Sequence, residues 1–431
     1  MPILCILINI VILSIFFHKK NIVNPLVIFV GLWTIIIFLS YCKYYNLIAA
    51  SDKSYIAIET GVIGFVFGYF IYQKIFIPKA YSIPTSINYI IVYFFFIVSI
   101  YSLVKDCTNT FSLISSGGDL SEIRSMAQDT SSILYSSRSN LDNAIKLYFV
   151  NPFIIFFPII FSYEYWNNGV RKKVFLIFLI LLSSLKVLSD GSRSIILYSI
   201  FHFIFIGFLL NKQKIQDKIR EIKNTVNSKL LIVVAVFLLI IASISRLGDQ
   251  SFIQNIYYYF AMEPRMLDYW MTVVDNNNSP GFGLASINGI IFPLIYLIKN
   301  IFSINYPSYW YQNVFLNIND TDKIWIDITN DHTTANAYVT VFWFPYLDGF
   351  YFGIIFILMI LGICSASLHK KVNIYNNTVC AKETVLYSLF MQGIIMSFVR
   401  LQFADTSYAL AFVYIIFLVF YKNKNKSINI L

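Results

Sequence analysis

Residues 350–368 read FYFGIIFILMILGICSASL, a run without a single charged side chain. A helix of about 20 apolar residues is long enough to cross the hydrocarbon core of a bilayer. Similar runs recur along the chain of 431 residues, of which 58% are hydrophobic and only 13% are charged. The mean hydropathy of +0.68 is typical of a protein surrounded mainly by lipid. The sequence therefore predicts a polytopic membrane protein.

The predicted spans are α-helices, because a backbone in hydrocarbon must satisfy its polar groups within its own segment and the alternation of a transmembrane barrel is absent. We predict an all-α fold of about 11–12 transmembrane helices in a single integral membrane domain, residues 1–431. The stretch 284–304 is a candidate for an additional partial or re-entrant helix. The spans are placed at 2–17, 22–41, 55–73, 89–104, 148–165, 174–189, 195–210, 230–245, 350–368, 384–399 and 406–421.

Two large polar segments, 105–147 and 246–349, interrupt the apolar runs. One set of alternate loops carries 19 lysines and arginines and the other set carries 12, so the first set is assigned to the cytoplasm. Both large segments then face outward, with the N-terminus outside and the C-terminus inside. The net charge of +10 mostly reflects the basic residues of the cytoplasmic loops. It is therefore no sign of nucleic-acid binding, and we expect no nucleic-acid partner.

The sequence contains no recognisable motif for binding a metal or a nucleotide. The five cysteines are scattered without the spacing of a zinc site, and the glycine-rich phosphate-binding motifs are missing. We expect no metal and no cofactor, and we expect the substrate to be met on the outer face.

Four arginines lie at the outward ends of predicted spans or in the second large segment: Arg193, Arg246, Arg265 and Arg400. The planar guanidinium group offers five donors and stays charged, which suits a diphosphate at the membrane surface. Arg193 is held close to the surface by the short turn Asp190-Gly191-Ser192-Arg193-Ser194. The alternative is that each arginine contacts lipid headgroups or pairs with a nearby acid, namely Asp190, Asp249, Asp268 or Asp405.

The second candidate feature is the segment Asn330-Asp331-His332-Thr333-Thr334-Ala335-Asn336-Ala337-Tyr338. An imidazole that titrates near neutral pH can accept a proton from an attacking sugar hydroxyl, and Asp331 could orient His332 or share its role. The alternative is a surface histidine in a polar loop. The aromatic residues around it are consistent with sugar stacking or with an interfacial belt.

These segments resemble those of the O-antigen polymerase family, also called oligosaccharide repeat-unit polymerases or Wzy. The resemblance lies in the Gly191-Ser192-Arg193-Ser194 turn, in the large late loop, and in Thr333–Tyr338 running on to Asp348-Gly349. The spacing from Arg265 to Gly281 is also similar to an arginine-to-glycine spacing in outer loops of such polymerases.

The resemblance implies a fold like that of lipid-dependent (GT-C-like) membrane glycosyltransferases, in the bacterial inner membrane with the active site facing the periplasm. The implied reaction transfers a glycan from undecaprenyl diphosphate to the non-reducing end of another lipid-linked repeat unit, without a metal. Arg193, Arg246 and Arg400, with Arg265, would bind the diphosphate, and His332 or Asp331 would be the catalytic base. A chain-length regulator is the protein partner that the family implies.

Two other functions are the alternatives to a polymerase. An O-antigen ligase would use the same donor and the same outer arginines and histidine. A polysaccharide flippase or transporter would show repeated halves and short outer loops, which this sequence lacks.

The assigned orientation predicts the outcome of reporter fusions. Periplasm-active reporters fused after Ser131 or Asn277 should be active, and a fusion after Asn224, in the most basic loop, should be silent. Activity at Asn224 would reverse the orientation and place the candidate arginines in the cytosol.

Overall fold

The computed structural model describes residues 1–17, 24–75, 85–115, 139–192, 194–210, 251–374 and 381–422. Within these ranges the chain is mostly helical. Five of the described helices are long and apolar enough to cross a membrane, and four shorter apolar helices accompany them. The structure thus confirms an all-α membrane protein.

A helix occupies all or most of each predicted span that the structure describes, and the predicted span 230–245 lies outside the described residues. The helices are α1 (Pro2–Phe17), α2 (Pro25–Cys42), α3 (Asp52–Ile75), α4 (Tyr89–Ser115), α5 (Asn140–Ile145), α6 (Asn151–Trp166), α7 (Lys172–Asp190), α8 (Ser194–Leu210), α9 (Phe252–Ala261), α10 (Glu263–Asn277), α11 (Asn288–Phe302), α12 (Ser308–Trp310), α13 (Leu316–Lys323), α14 (Thr340–Ile374), α15 (Ala381–Ile395) and α16 (Thr406–Phe417). Single π-turns at Lys146–Val150 and Tyr311–Phe315 link α5 to α6 and α12 to α13. Helix α11 coincides with the candidate partial helix 284–304.

Among the described residues, four short strands form two antiparallel pairs. Strand β1 (Thr85–Ile87) pairs with β4 (Phe420–Lys422), and β2 (Ile326–Asp327) pairs with β3 (Thr334–Ala335). The second pair makes a small hairpin inside the polar segment 246–349. It contains the predicted His332 at its turn.

The chain forms two compact units. The first comprises Met1–Ala80, Gln250–Ile374 and Phe390–Ala409, and the second comprises Tyr81–Asp249, Tyr375–Leu389 and Leu410–Leu431. All candidate residues except Arg193 and Arg246 belong to the first unit. The prediction of one membrane domain with loops at 105–147 and 246–349 stays a prediction.

Helices α3 and α14 form the core of the first unit, and glycine lets them approach closely. A Cβ atom on Gly68 would lie 2.0 Å from the carbonyl oxygen of Met359, and one on Gly362 would lie 2.1 Å from that of Phe65. A Cβ atom on Gly64 would lie 2.9 Å from the carbonyl oxygen of Ile355. Small residues at such positions are a common way for membrane helices to pack backbone against backbone.

After its break at Gly349 and Phe350, helix α14 runs parallel to α3, because the contacts of the two segments rise in sequence together. Gly64 meets Ile355 and Gly68 meets Met359. The beginning of α3 therefore lies at the same end of the unit as the break in α14, where Lys53 and Tyr346 both contact Asp275. Before the break α14 runs the other way, since a Cβ atom on Gly61 in the middle of α3 would meet the ring of Phe342. The polar segment 43–51 lies at this end too, and its backbone is hydrogen-bonded to residues of the segment 324–339. The amino group of Met1 lies at this end too, 3.4 Å from the carboxylate of Asp52.

Helix α14 begins ten residues before the predicted span at 350, and it is broken at Gly349 and Phe350. Phe350 has a φ of 53°, which a helix cannot contain. The sequence marks this break with Pro345 and Asp348-Gly349, which favour a loop. Residues 341–348, which precede the break, are nevertheless buried, and their packing keeps the first part of α14 helical.

The second unit is held together by aromatic stacking and by ion pairs. The rings of Phe96 on α4 and Phe178 on α7 stack at 3.5 Å. Lys186 pairs with Asp190 one turn later on α7, with 2.6 Å between nitrogen and oxygen. Lys146 pairs with Asp106, which is buried. These cations are therefore neutralised by neighbouring acids.

The glycine contacts predict a difference between two otherwise similar substitutions. Gly68→Ala should destabilise the protein by about 1–3 kcal/mol, because the added methyl group must push α3 away from α14. Gly31→Ala on α2, where a Cβ atom meets nothing within 4 Å, should leave stability equal or raise it by up to about 1 kcal/mol. Thermal unfolding in detergent checks both variants. Equal melting temperatures for the two would contradict the proposed packing.

Candidate active site at one end of the first unit

The middle of the segment between α2 and α3 is hydrogen-bonded to the hairpin β2–β3. The backbone N–H of Ile48 donates to the carbonyl oxygen of Ile328 at 2.9 Å. The N–H of Asn330 donates to the carbonyl oxygen of Asn46 at 3.0 Å. Residues almost 300 positions apart thus form one continuous backbone network. We call residues 43–51 the α2–α3 loop.

His332 lies at the turn of the hairpin and is open to solvent. Its N–H donates to the carbonyl oxygen of Thr329 at 3.2 Å, and its φ of 59° is in the left-handed region. The side chain is 86% exposed, and Nδ1 lies 3.4 Å from a carboxylate oxygen of Asp327. An imidazole placed in this way can accept a proton from an arriving hydroxyl group, since nothing in the hairpin covers it.

Asp331 has a different partner from the predicted one. Its carboxylate accepts a hydrogen bond of 2.8 Å from the side-chain amide of Asn46. The acid that contacts His332 is Asp327, five residues earlier on β2. Asp331 therefore ties the hairpin to the α2–α3 loop, and Asp327 takes the orienting position beside the imidazole.

Helix α10 is fastened to the beginning of α3 by its acidic residues. The carboxylate of Asp268 accepts from both the backbone N–H and the hydroxyl group of Ser51. Asp275 pairs with Lys53 and also accepts a hydrogen bond from the Tyr346 hydroxyl at 2.7 Å. Asp268 is thus occupied by Ser51, and it is not the partner of Arg265 that the sequence allowed.

Arg400 lies beside the hairpin and is engaged by protein groups. One guanidinium nitrogen pairs with Asp322 at the end of α13 and donates to the carbonyl oxygen of Ala337 at 3.2 Å. The preceding residue, Val399, accepts hydrogen bonds from the N–H groups of Val339 and Thr340. Arg400 is therefore fixed next to the start of α14. Its partner Asp322 is half exposed, so the ion pair is open to a competing anion.

Arg265 lies in the first turn of α10 and is half-buried. Its Nε is shielded from solvent and has no hydrogen-bond partner among the described residues. Two positions earlier, Glu263 is completely buried, and neither of its carboxyl oxygens has a partner among those residues. Burial raises the pKa of Glu263 well above its usual range, which favours the neutral form. The charge of Arg265 is therefore not balanced by Glu263.

An aromatic cluster brings the start of α10 towards Arg400. The ring of Phe260, at the end of α9, lies 5.1 Å from that of Phe398. The ring of Tyr259 lies 5.9 Å from that of Tyr338. Since Arg265 follows Phe260 closely and Arg400 follows Phe398, the two arginines belong to the same region of this end.

Asp348 and Gly281, which carry part of the family resemblance, have structural roles. The buried carboxylate of Asp348 accepts from the N–H groups of Ala285 and Ser286 at 2.9 and 2.8 Å. A Cβ atom on Gly281 would lie 2.6 Å from the same carboxylate. Asp348 thus organises the turn before α11, and glycine at 281 leaves room for it.

The predicted Arg193 and Arg246 lie outside the described residues. Two of the acids that could have paired with arginines have other partners. Asp190 pairs with Lys186, and Asp405 accepts from the backbone N–H of Tyr408 at 3.0 Å. The described part of the site therefore consists of Arg265, Arg400 and the hairpin with His332 and Asp327.

No family model, no curated protein and no solved structure matches this chain.

Proposed function

We propose that this protein is a membrane glycosyltransferase that polymerises lipid-linked oligosaccharide repeat units, as O-antigen polymerases do. The observation that carries the proposal is that two arginines and an exposed imidazole–carboxylate pair belong to one unit of packed membrane helices, with Arg400 held beside the hairpin that bears His332. Arg265 in particular is half-buried, and its Nε has no hydrogen-bond partner among the described residues. Such a cation is suited to an anionic ligand that arrives from the membrane surface.

The proposed fold has about 11–12 transmembrane helices, with large periplasmic loops at 105–147 and 246–349. It is of the lipid-dependent, GT-C-like kind, in the bacterial inner membrane. The distribution of lysines and arginines assigns both the α2–α3 loop and the 246–349 segment to the periplasm. Backbone hydrogen bonds join these two segments directly, which supports this arrangement.

In the proposed reaction, a hydroxyl group at the non-reducing end of one lipid-linked unit attacks the anomeric carbon of the donor glycan. His332, oriented by Asp327, accepts the hydroxyl proton as the new carbon–oxygen bond forms. The bond between the anomeric carbon and the phosphate oxygen breaks, and undecaprenyl diphosphate leaves as an anion. Since the donor is already activated, the reaction consumes no nucleotide.

The arginines would stabilise the negative charge that develops on the leaving diphosphate. Arg265 and Arg400 are the described candidates, and we retain Arg193 and Arg246 from the sequence as further ligands. The site is proposed to work without a metal or other cofactor. A chain-length regulator is the proposed protein partner.

An O-antigen ligase is the main alternative, because it would use the same lipid-linked donor and the same kind of site. A flippase is a second alternative. The genetic experiment below separates the three functions.

Arg400 and Asp322 predict different outcomes when each is changed. If Arg400 binds the diphosphate, Arg400→Ala should lower the polymerisation rate by about 100-fold, the usual cost of removing one charge-stabilising donor. Asp322→Asn releases the guanidinium without removing it and should retain activity within about threefold, since the charge that acts on the transition state is unchanged. Arg400→Lys should rescue only part of the rate, because the planar fork is lost.

The measurement is the rate of glycan chain growth in membranes that contain equal amounts of each variant. Equal losses in Arg400→Ala and Asp322→Asn would show that the ion pair is structural and would remove Arg400 from the site.

A deletion strain tests the proposed function itself. A strain that builds, transports and attaches single repeat units but cannot join them should produce lipopolysaccharide of core plus one unit, without a ladder. His332→Ala should give the same pattern, because the acceptor hydroxyl then lacks its base.

Gel electrophoresis of the lipopolysaccharide reads out each outcome. Unsubstituted core with polymer accumulating on the lipid carrier would instead indicate a ligase. Unsubstituted core with units retained in the cytoplasmic leaflet would indicate a flippase. A normal ladder would refute the polymerase.

A further inference from the structure

Two tyrosines of the α2–α3 loop have exposed rings that pack on one side against buried tyrosines of α9. Tyr44 and Tyr45 are 61% and 44% exposed. They rest on Tyr257 and Tyr258 of α9, which are buried. The ring of Tyr257 lies 5.9 Å from that of Tyr44 and 5.5 Å from that of Tyr45. We call these four residues the tyrosine platform.

The two buried hydroxyl groups fix the backbone of the loop. The Tyr257 hydroxyl accepts from the N–H of Tyr44 at 2.9 Å and donates to the carbonyl oxygen of Leu39 at 2.7 Å. The Tyr258 hydroxyl donates to the carbonyl oxygen of Tyr45 at 2.8 Å. Burial raises the pKa of Tyr257 to about 12, so that its hydroxyl group keeps the proton it donates. The exposed rings are therefore held in place before any ligand arrives.

Polar groups border the platform on the side of the hairpin. Asn46 follows Tyr45 directly, accepts from the N–H of Asn330, and donates to the carboxylate of Asp331. The next residue of the hairpin is His332. Rigid aromatic surface thus adjoins amide and carboxylate groups and the proposed catalytic base.

This combination matches the chemistry of a sugar ring. A pyranose has an apolar face of C–H groups, which packs on an aromatic ring, and a rim of hydroxyl groups, which donate to carboxylate oxygens. Tyrosine offers a large contact area with little conformational freedom to lose on binding. A platform that is fixed beforehand also avoids the entropic cost of ordering a loop.

We propose that the tyrosine platform binds the acceptor glycan and presents its terminal sugar to His332. The identity of the ligand as an acceptor glycan rests on the proposed polymerase function. The Tyr44 and Tyr45 rings pack on the faces of the non-reducing sugars, and Asp331 accepts hydrogen bonds from their hydroxyl groups.

Binding of a free glycan by the purified full-length protein tests the platform. The probe is the repeat-unit oligosaccharide released by mild acid from the lipid-linked fraction of a deletion strain, titrated calorimetrically against protein in nanodiscs. Tyr44→Ala should weaken binding about tenfold, which corresponds to about 1.4 kcal/mol. Tyr44→Trp should stay within about twofold of the wild type, because it keeps an aromatic face.

Tyr309→Ala is the matched control. Like Tyr44, Tyr309 is an exposed tyrosine, with 42% of its surface accessible. It lies in the 246–349 segment, and its ring stacks on Phe282 and not on the platform. Its replacement should leave glycan affinity unchanged. Thermal unfolding of each variant in the same nanodiscs separates loss of the surface from loss of the fold.

The platform proposal is overturned if a folded Tyr44→Ala protein binds the oligosaccharide as tightly as the wild type. It is also overturned if Tyr44→Ala and Tyr309→Ala weaken binding equally, or if Tyr44→Ala alters only insertion into lipid, as an interfacial belt residue would. Absence of binding by the wild type, together with a one-unit pattern in the deletion strain, would reject the platform and keep the polymerase. Glycan binding with a normal ladder would keep the platform and reject the polymerase.

Discussion

The close parallel packing of α3 against α14 is the interaction on which the rest of the described site depends. Gly64, Gly68 and Gly362 allow backbone atoms of the two helices to touch, and no larger residue fits at these positions without separating the helices. Because α14 after its break runs in the same direction as α3, the break lies beside the beginning of α3. The α2–α3 loop precedes α3 at this end, and its backbone hydrogen bonds to the hairpin place the tyrosine platform on the side of His332.

The site combines groups that serve stability with groups left available to a ligand. Asp268, Asp275, Asp331 and Asp348 all have protein partners that fasten one segment to another. Arg265, His332 and the outer faces of Tyr44 and Tyr45 remain more open. Arg400 is intermediate in its availability to a ligand, since it is paired with the half-exposed Asp322. The proposed reaction uses the open groups and this exchangeable ion pair, and the proposed acceptor site adds the carboxylate of Asp331.

The sequence predicted the helical membrane fold because long apolar runs leave the backbone few alternatives. It also singled out His332, Arg265 and Arg400, because an imidazole suits a general base and a guanidinium group suits a diphosphate. It did not reveal that Asp327 contacts His332, that Asp322 holds Arg400, or that Asn46 binds Asp331. The last two contacts join residues far apart in the chain and depend on tertiary packing, whereas the first depends on the hairpin turn, which the sequence did not predict. The first part of α14, residues 340–348, was also missed, because Pro345 and Asp348-Gly349 have the composition of a loop although the residues around them are buried.

The most direct test of the account is reconstitution of the purified protein with its proposed substrate. Proteoliposomes that contain only this protein and an undecaprenyl-diphosphate-linked repeat unit should yield lipid-linked oligomers and free undecaprenyl diphosphate, without a nucleotide sugar and in the presence of a chelator. Mass spectrometry of the lipid fraction would show a series of masses separated by one repeat unit. A lipid-linked unit that remains a monomer, with the Arg400→Ala protein giving the same spectrum as the wild type, would contradict the account.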